Sequence, residues 1–307
     1  MSARTSPTDP SGHPAPAATS DSALGTKWGA YCLCNDGVVD WALALFESLR
    51  TFEPELELRL IPFDDRVDRV RAAAGRYGYA LFETPEIEAL DALGRRFYPG
   101  DDFAARGFRK LAAFQGPFDY FFSFDSDVAV LGPLAPLCRR IEARRPDLVH
   151  FDTDLDQVYR PGELREAMVA RGDARGFNAG LFAARRSWLS AASLAAALDD
   201  LGSDWRARLV PNAEQPFLNL YADRTGAAKV AAHELLPQFC STCWPNVGRF
   251  ACESDGYRLR DSGRWDEGRL LFAAHWAGSG LSERIPNVEV HRRFLDAARA
   301  RLGEAAP

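Results

Sequence analysis

The sequence predicts an α/β protein: a single Rossmann-like, mixed and mostly parallel sheet flanked by helices. Three observations carry this. Short apolar runs of strand length alternate with segments of helical period. The run Phe118–Phe124 is continuously apolar or aromatic save for Asp119 and Ser123, as a strand buried on both faces requires. That run stops at two carboxylates, Asp125 and Asp127, separated by Ser126. The carboxyl ends of strands are where ligands bind in open α/β sheets.

The elements follow in order. Trp28–Cys34 is an apolar run and reads as the first strand. Asn35-Asp36-Gly37 breaks it. Val38, Val39, Ala42, Leu45, Phe46 and Leu49 then recur at helical spacing. Leu56–Phe63 alternates apolar and charged residues, as a strand does, and Asp64-Asp65 follows its end. Residues 66–76 read as a helix, Tyr79–Phe82 as a short strand and 86–97 as a helix. Phe108–Phe114 reads as an amphipathic helix leading into the strand at 118–124. Leu134–Ile141 follows Gly132-Pro133 as a helix, and Leu148–Phe151 as a strand. The charged stretch 152–173 is expected to be a surface excursion. Phe177–Ala183 reads as a strand interrupted by Asn178 and Gly180. Trp188–Leu201 and Ala213–Tyr221 read as helices. Residues 237–267 show little period and are expected to be loops. Leu270–His275 reads as the last strand and 288–302 as the last helix.

Composition narrows the function. A hydrophobic fraction of 47% over 307 residues suits a globular chain with a substantial core. The formal net charge of −6, with no long basic block, argues against nucleic acid as a partner. No apolar stretch reaches membrane-spanning length. Residues 1–26 are rich in Ser, Thr, Pro, Ala and Gly without an apolar core segment. They are expected to be a disordered leader rather than a signal peptide, with residues 27–307 as one domain and a cytoplasmic location. Of the six cysteines, Cys32 and Cys34 fall in a core strand, where a free thiol packs as a small apolar group. Cys240 and Cys243 have zinc-ligand spacing, but a tetrahedral site needs four ligands and no second such pair exists.

Asp125 and Asp127 are the sharpest chemical signal. Two adjacent carboxylates repel unless a cation lies between them. A divalent ion holding a phosphate-bearing substrate meets that need, while a polar turn after a core strand gives the same triplet.

Several segments together resemble glycosyltransferase family 8, the family of glycogenin and galactinol-synthase-like proteins. They are Cys34-Asn35-Asp36 with the helix Ala42–Arg50, and Phe108-Arg109-Lys110-Leu111. The others are Phe118–Leu134 with its Asp-Ser-Asp, Phe177-Asn178-Ala179-Gly180-Leu181, Glu214-Gln215-Pro216-Phe217-Leu218-Asn219 and His275-Trp276-Ala277-Gly278. The resemblance spans most of residues 28–280. It implies a GT-A fold and transfer of a sugar, with retention, from a nucleotide diphosphate donor, usually UDP, to an acceptor the sequence does not name. It maps a manganese or magnesium ion to Asp125, Asp127 and His275. Asn35 and Asp36 would hold the nucleoside, with Asp125 able to reach the ribose and Ser126 between the two carboxylates. Lys110 would meet the phosphates or the sugar, and Gly278 would admit a phosphate. Asn178 and Gly180 would line the transferred sugar, and Glu214 and Gln215 would face it, which gives Asn178, Glu214 and Gln215 the catalytic roles. The chain departs from the family in two places. Glu214 stands where Asp is usual, and Ser279–Arg284 replaces a Lys-Pro-Trp segment. Two other readings are kept. Asp125-Ser126-Asp127-Val128 also fits a phosphatase of the haloacid dehalogenase type, which needs a later strand ending in an acidic pair. The same fold can also bind a nucleotide sugar without turnover.

Overall fold

The computed structural model describes residues 25–172, 174–239, 247–278 and 285–303. Most of the expected leader, the Cys240/Cys243 pair and the segment 279–284 lie outside them.

The strands are β1 (Trp28–Cys34), β2 (Leu58–Pro62), β3 (Ala80–Leu81), β4 (Tyr120–Asp125), β5 (Val128–Val130), β6 (Leu148–His150), β7 (Leu181–Arg185), β8 (Lys229–Ala231), β9 (Arg249–Glu253), β10 (Gly256–Arg260) and β11 (Ala273–His275). The helices are α1 (Val39–Phe52), α2 (Asp68–Tyr77), α3 (Glu86–Phe97), α4 (Asp102–Gly107), α5 (Ala135–Arg144), α6 (Glu163–Ala170), α7 (Ala191–Ala197), α8 (Trp205–Arg208), α9 (Gln215–Thr225), α10 (Ala232–Leu235) and α11 (Val288–Leu302).

Among the described residues the main sheet has seven strands in the order β3-β2-β1-β4-β7-β6-β8. All neighbours pair in parallel except β7, which runs antiparallel to both β4 and β6. The carboxyl ends of β1, β2, β4, β6 and β8 therefore share one edge. β1 and β4 are central and covered on both faces. Phe121, Phe122 and Phe124 are fully buried, each worth roughly 2 kcal/mol of burial. Cys32 and Cys34 are buried here as free thiols.

Helix α1 is apolar nearly all round because it lies between the sheet and α11. Its one buried carboxylate, Glu47, accepts from Arg301 at 2.8 and 3.0 Å and from the Tyr77 hydroxyl at 2.7 Å. A buried carboxylate needs such partners. Together they fasten α11 and α2 to α1.

Several expectations are corrected. Residues 237–267 are not all loop, because β9 and β10 form an antiparallel hairpin. The segment Phe108–Gln115 winds as a 3-10 helix rather than an α-helix. The long helix expected at 188–201 is regular only over α7, where Ser190 and Ser193 form a capping box. The excursion at 152–173 contains α6. β11 is shorter than expected and pairs with β5 in a separate two-stranded sheet instead of joining the main one. That pairing has a consequence: it sets His275 opposite Val128, beside the two carboxylates at the end of β4.

Candidate functional site

A cavity of about 630 Å³ opens at the carboxyl edge of the sheet. That volume suits a small-molecule ligand. Asn35, Lys110, Asp125, Ser126, Asp127, Asn178, Gly180, Glu214, Gln215, His275 and Gly278 all line it. Asp36 is the one sequence-nominated residue that does not. Its carboxylate accepts from the Val70 amide at 2.9 Å, at the start of α2.

Asp125, Asp127 and His275 converge. His275 Nε2 lies 3.3 Å from Asp127 Oδ1 and 3.8 Å from Asp125 Oδ2. One ligand atom from each falls within 4.8 Å of the others, and no other group of this kind occurs among the described residues. Gly180 explains the closeness. A Cβ there would sit 2.1 Å from the His275 ring and 2.7 Å from Asp125 Oδ2. Burial disfavours the charged forms of both Asp127 and His275. Their mutual attraction outweighs it, holding Asp127 below and His275 above their ordinary values. Two carboxylate oxygens and one imidazole nitrogen are a donor set that suits manganese, and magnesium through the oxygens. A dication needs a neutral imidazole, so it would compete with the proton for His275.

Lys110 forms the second half of the site. Its ammonium, buried from solvent, sits 2.6 Å from Asp125 Oδ1 and 2.7 Å from Glu214 Oε1, and donates to the Ala179 carbonyl at 3.2 Å. Burial opposes the charge, but the two carboxylates outweigh it and hold Lys110 above the usual lysine value. For Glu214 burial dominates and pushes its carboxyl up, with Lys110 opposing.

Gln215 is buried and presents an amide edge. Its Oε1 accepts from the Ala179 N–H at 3.0 Å, which fixes the amide's orientation. Its Nε2 is buried with no hydrogen-bond partner. An unpaired buried donor lining a cavity marks a place for a ligand acceptor. Asn178 Oδ1 accepts from Gly180 N–H at 2.7 Å and shapes the turn before β7. Asn219 reads as part of the same motif, but its role is structural. It bonds both backbone groups of Phe177 and the Gln215 carbonyl, tying the 177–180 turn to α9.

Asn35 lies at the end of the cavity formed by β1 and β2. Asn35 Oδ1 accepts from Gly37 N–H at 3.0 Å, and its Nδ2 donates to Asp64 at 2.9 Å. Phe63, Arg66, Phe103 and Trp41 also line the cavity and were not nominated from the sequence. The available signal was Asp64-Asp65 just past the second strand. Gly278, with φ of +67°, takes a left-handed conformation that favours glycine.

The sequence matches no family model and no curated protein. Solved structures do match. The galactosyltransferase LgtC, in complex with donor and acceptor sugar analogues, superposes with a TM-score of 0.59 at 16% identity, covering 89% of this chain and 95% of that one. An LgtC variant carrying an active-site glutamine-to-glutamate change gives 0.57 at 15% identity, over 88% and 95%. The bifunctional glycosyltransferase WbbM gives 0.53 at 11% identity, over 95% of this chain and 52% of that one. No described helix is long and apolar enough to cross a membrane. The mixed, mostly parallel sheet with β7 reversed, the helices around it and these superpositions establish that the chain has the GT-A fold.

Proposed function

We propose that the protein is a metal-dependent glycosyltransferase that moves a sugar, with retention, from a nucleotide diphosphate donor, UDP-linked, to an acceptor. The observation that carries this reading is the convergence of Asp125, Asp127 and His275 beside the buried Lys110 in one cavity. The solved structures of like fold are described as glycosyltransferases, and one of them with donor and acceptor sugar analogues.

Manganese or magnesium would be held by Asp125, Asp127 and His275. When bound, it supplies Lewis-acid stabilisation of the negative charge that builds on the diphosphate leaving group. Lys110 adds a fixed positive charge next to Asp125, preorganised by its three acceptors. Gly180 and Asn178 leave room for the transferred sugar beside this pair. Gln215 donates its free Nε2 hydrogens to that sugar or to the acceptor. Its Oε1 is engaged by Ala179, so it serves as a donor and positioning group rather than as a nucleophile. An active-site glutamine is named for LgtC, and Gln215 is the glutamine lining this cavity. Glu214 holds Lys110 in place and lies against the same wall.

The phosphatase reading is disfavoured. Among the described residues the carboxylate pair is completed by His275, where that chemistry needs further acids, and Asp125 is paired with Lys110. A binding protein without turnover differs from an enzyme in one readout. Incubation with a panel of UDP-sugars and manganese should release UDP slowly without acceptor, and chelation should stop it. Binding of donors with no release of UDP, with or without candidate acceptors, would replace the enzyme by a binder.

A further inference from the structure

The end of the cavity beyond Asn35 carries side chains that the transfer chemistry leaves unused. Phe63, Arg66 and Phe103 line it. Phe103, on α4, is 75% exposed, an unusual place for a phenylalanine in this chain. It packs on Phe63 with ring centroids 5.3 Å apart.

Arg66 is exposed yet fixed. Its Nε and Nη2 donate to Asp64 Oδ2 at 3.1 and 2.7 Å, and its backbone N–H donates to Oδ1 at 3.0 Å. Asp64 is buried and also receives Asn35 Nδ2, with Arg106 3.8 Å away. Arg66 Nη1 makes no hydrogen bond among the described residues, so it remains available to a ligand. The nearest acceptors already receive one hydrogen bond each. Cys34 O receives Phe63 N–H, Arg66 O receives Asp36 N–H, and Asn35 Oδ1 receives Gly37 N–H. This end of the cavity therefore offers a donor and an aromatic face, and its carboxylates are spent.

Position decides what binds there. β2 and β4 flank β1. Their carboxyl ends are two strand spacings apart, about 10 Å. That leaves room for a ribose between a base beside Phe63 and a diphosphate beside Asp125.

We propose that Phe103 and Arg66 together select the donor's base: the Phe103 ring, braced by Phe63, covers one face, and Arg66 Nη1 donates to a carbonyl oxygen on its edge. This rests on the nucleotide-donor reading above. Asp64 is the positioning residue that aims the guanidinium. Bases with a ring carbonyl, such as uracil, are taken over adenine, which has none.

The test is calorimetric titration of UDP, ADP and inorganic pyrophosphate in magnesium buffer. Wild type should bind UDP more tightly than ADP. Arg66→Ala should weaken UDP about tenfold, bring it level with ADP and leave pyrophosphate unchanged. Phe103→Ala should weaken UDP and ADP alike by about tenfold, again sparing pyrophosphate. Arg66→Ala leaves Asp64 with Asn35 and the backbone as partners, so both variants are expected to remain folded, with unfolding curves recorded beside each titration. Wild-type UDP binding that neither variant alters would overturn the base clamp alone. Equal losses of UDP and pyrophosphate in Arg66→Ala would assign Arg66 to the phosphates and overturn it as well. A wild type that binds none of the three would overturn the donor reading and the clamp together.

Discussion

Replacing Lys110 with methionine tests the electrostatic core of the site. The ammonium is 5% exposed and neutralises two carboxylates, at 2.6 and 2.7 Å. Asp125 is partly open to water, but Glu214 is buried, so the loss falls mainly on Glu214. Removing one partner of a buried pair costs about 3–5 kcal/mol, because the other charge stays behind without its counterion. Glu214 has an escape: burial already pushes its carboxyl above the ordinary value, and without Lys110 it takes up a proton. The sign follows from linkage. A carboxyl with a raised folded-state pKa favours the folded state below its unfolded value, and that contribution is lost as pH rises through the folded value. The Lys110→Met penalty should therefore be larger at pH 8 than at pH 5. Adding Glu214→Gln should recover much of it. Urea unfolding of wild type, both single variants and the double variant at the two pH values measures this directly. A Lys110→Met loss below about 1 kcal/mol, independent of pH, would refute the reasoning.

Three further outcomes are expected. Gln215→Glu keeps an acceptor for the Ala179 N–H but removes the free donor, so transfer should fall about 10²–10³-fold in kcat while UDP affinity stays within a few-fold; kinetics and calorimetry on one preparation separate the two. Gly180→Ala drives a methyl group into His275 and Asp125 and should weaken metal affinity about 10- to 100-fold, measured by manganese titration. His291 is buried between Trp41 and Trp276 with neither ring nitrogen hydrogen-bonded, and burial pushes its pKa down to about 4. The unfolded chain takes up that proton near 6.5, so stability should fall as pH drops from about 6.5 to 4, by about 3 kcal/mol from this residue. His291→Phe should flatten that slope in denaturant titrations; an unchanged slope would show that His291 does not cause it.

What the sequence made legible were features with a local cause. An apolar run that ends in Asp125 and Asp127 announces a buried strand with charge at its tip, whatever lies around it. Asn178 and Gly180 interrupt an apolar run, and the interruption proved to be the turn that closes on His275. Other features depend on long-range pairing. The reversal of β7 leaves no trace in its own residues. β8 spans only Lys229–Ala231, too short for a period to emerge. The β9–β10 hairpin did carry a signal, the turn residues Ser254-Asp255 followed by Gly256, which the surrounding polar residues masked. Asp36 lies in the right turn but serves α2. Arg66 and Phe103 carry no local mark of a ligand contact in their own segments, and only the fold brings them to the cavity.

The most direct test of the central claim is calorimetric titration of UDP, with and without manganese, into wild type and Asp127→Ala. The account predicts binding that requires manganese in wild type and disappears in a folded Asp127→Ala variant. Equal UDP affinity with chelator present, or in the variant, would contradict it.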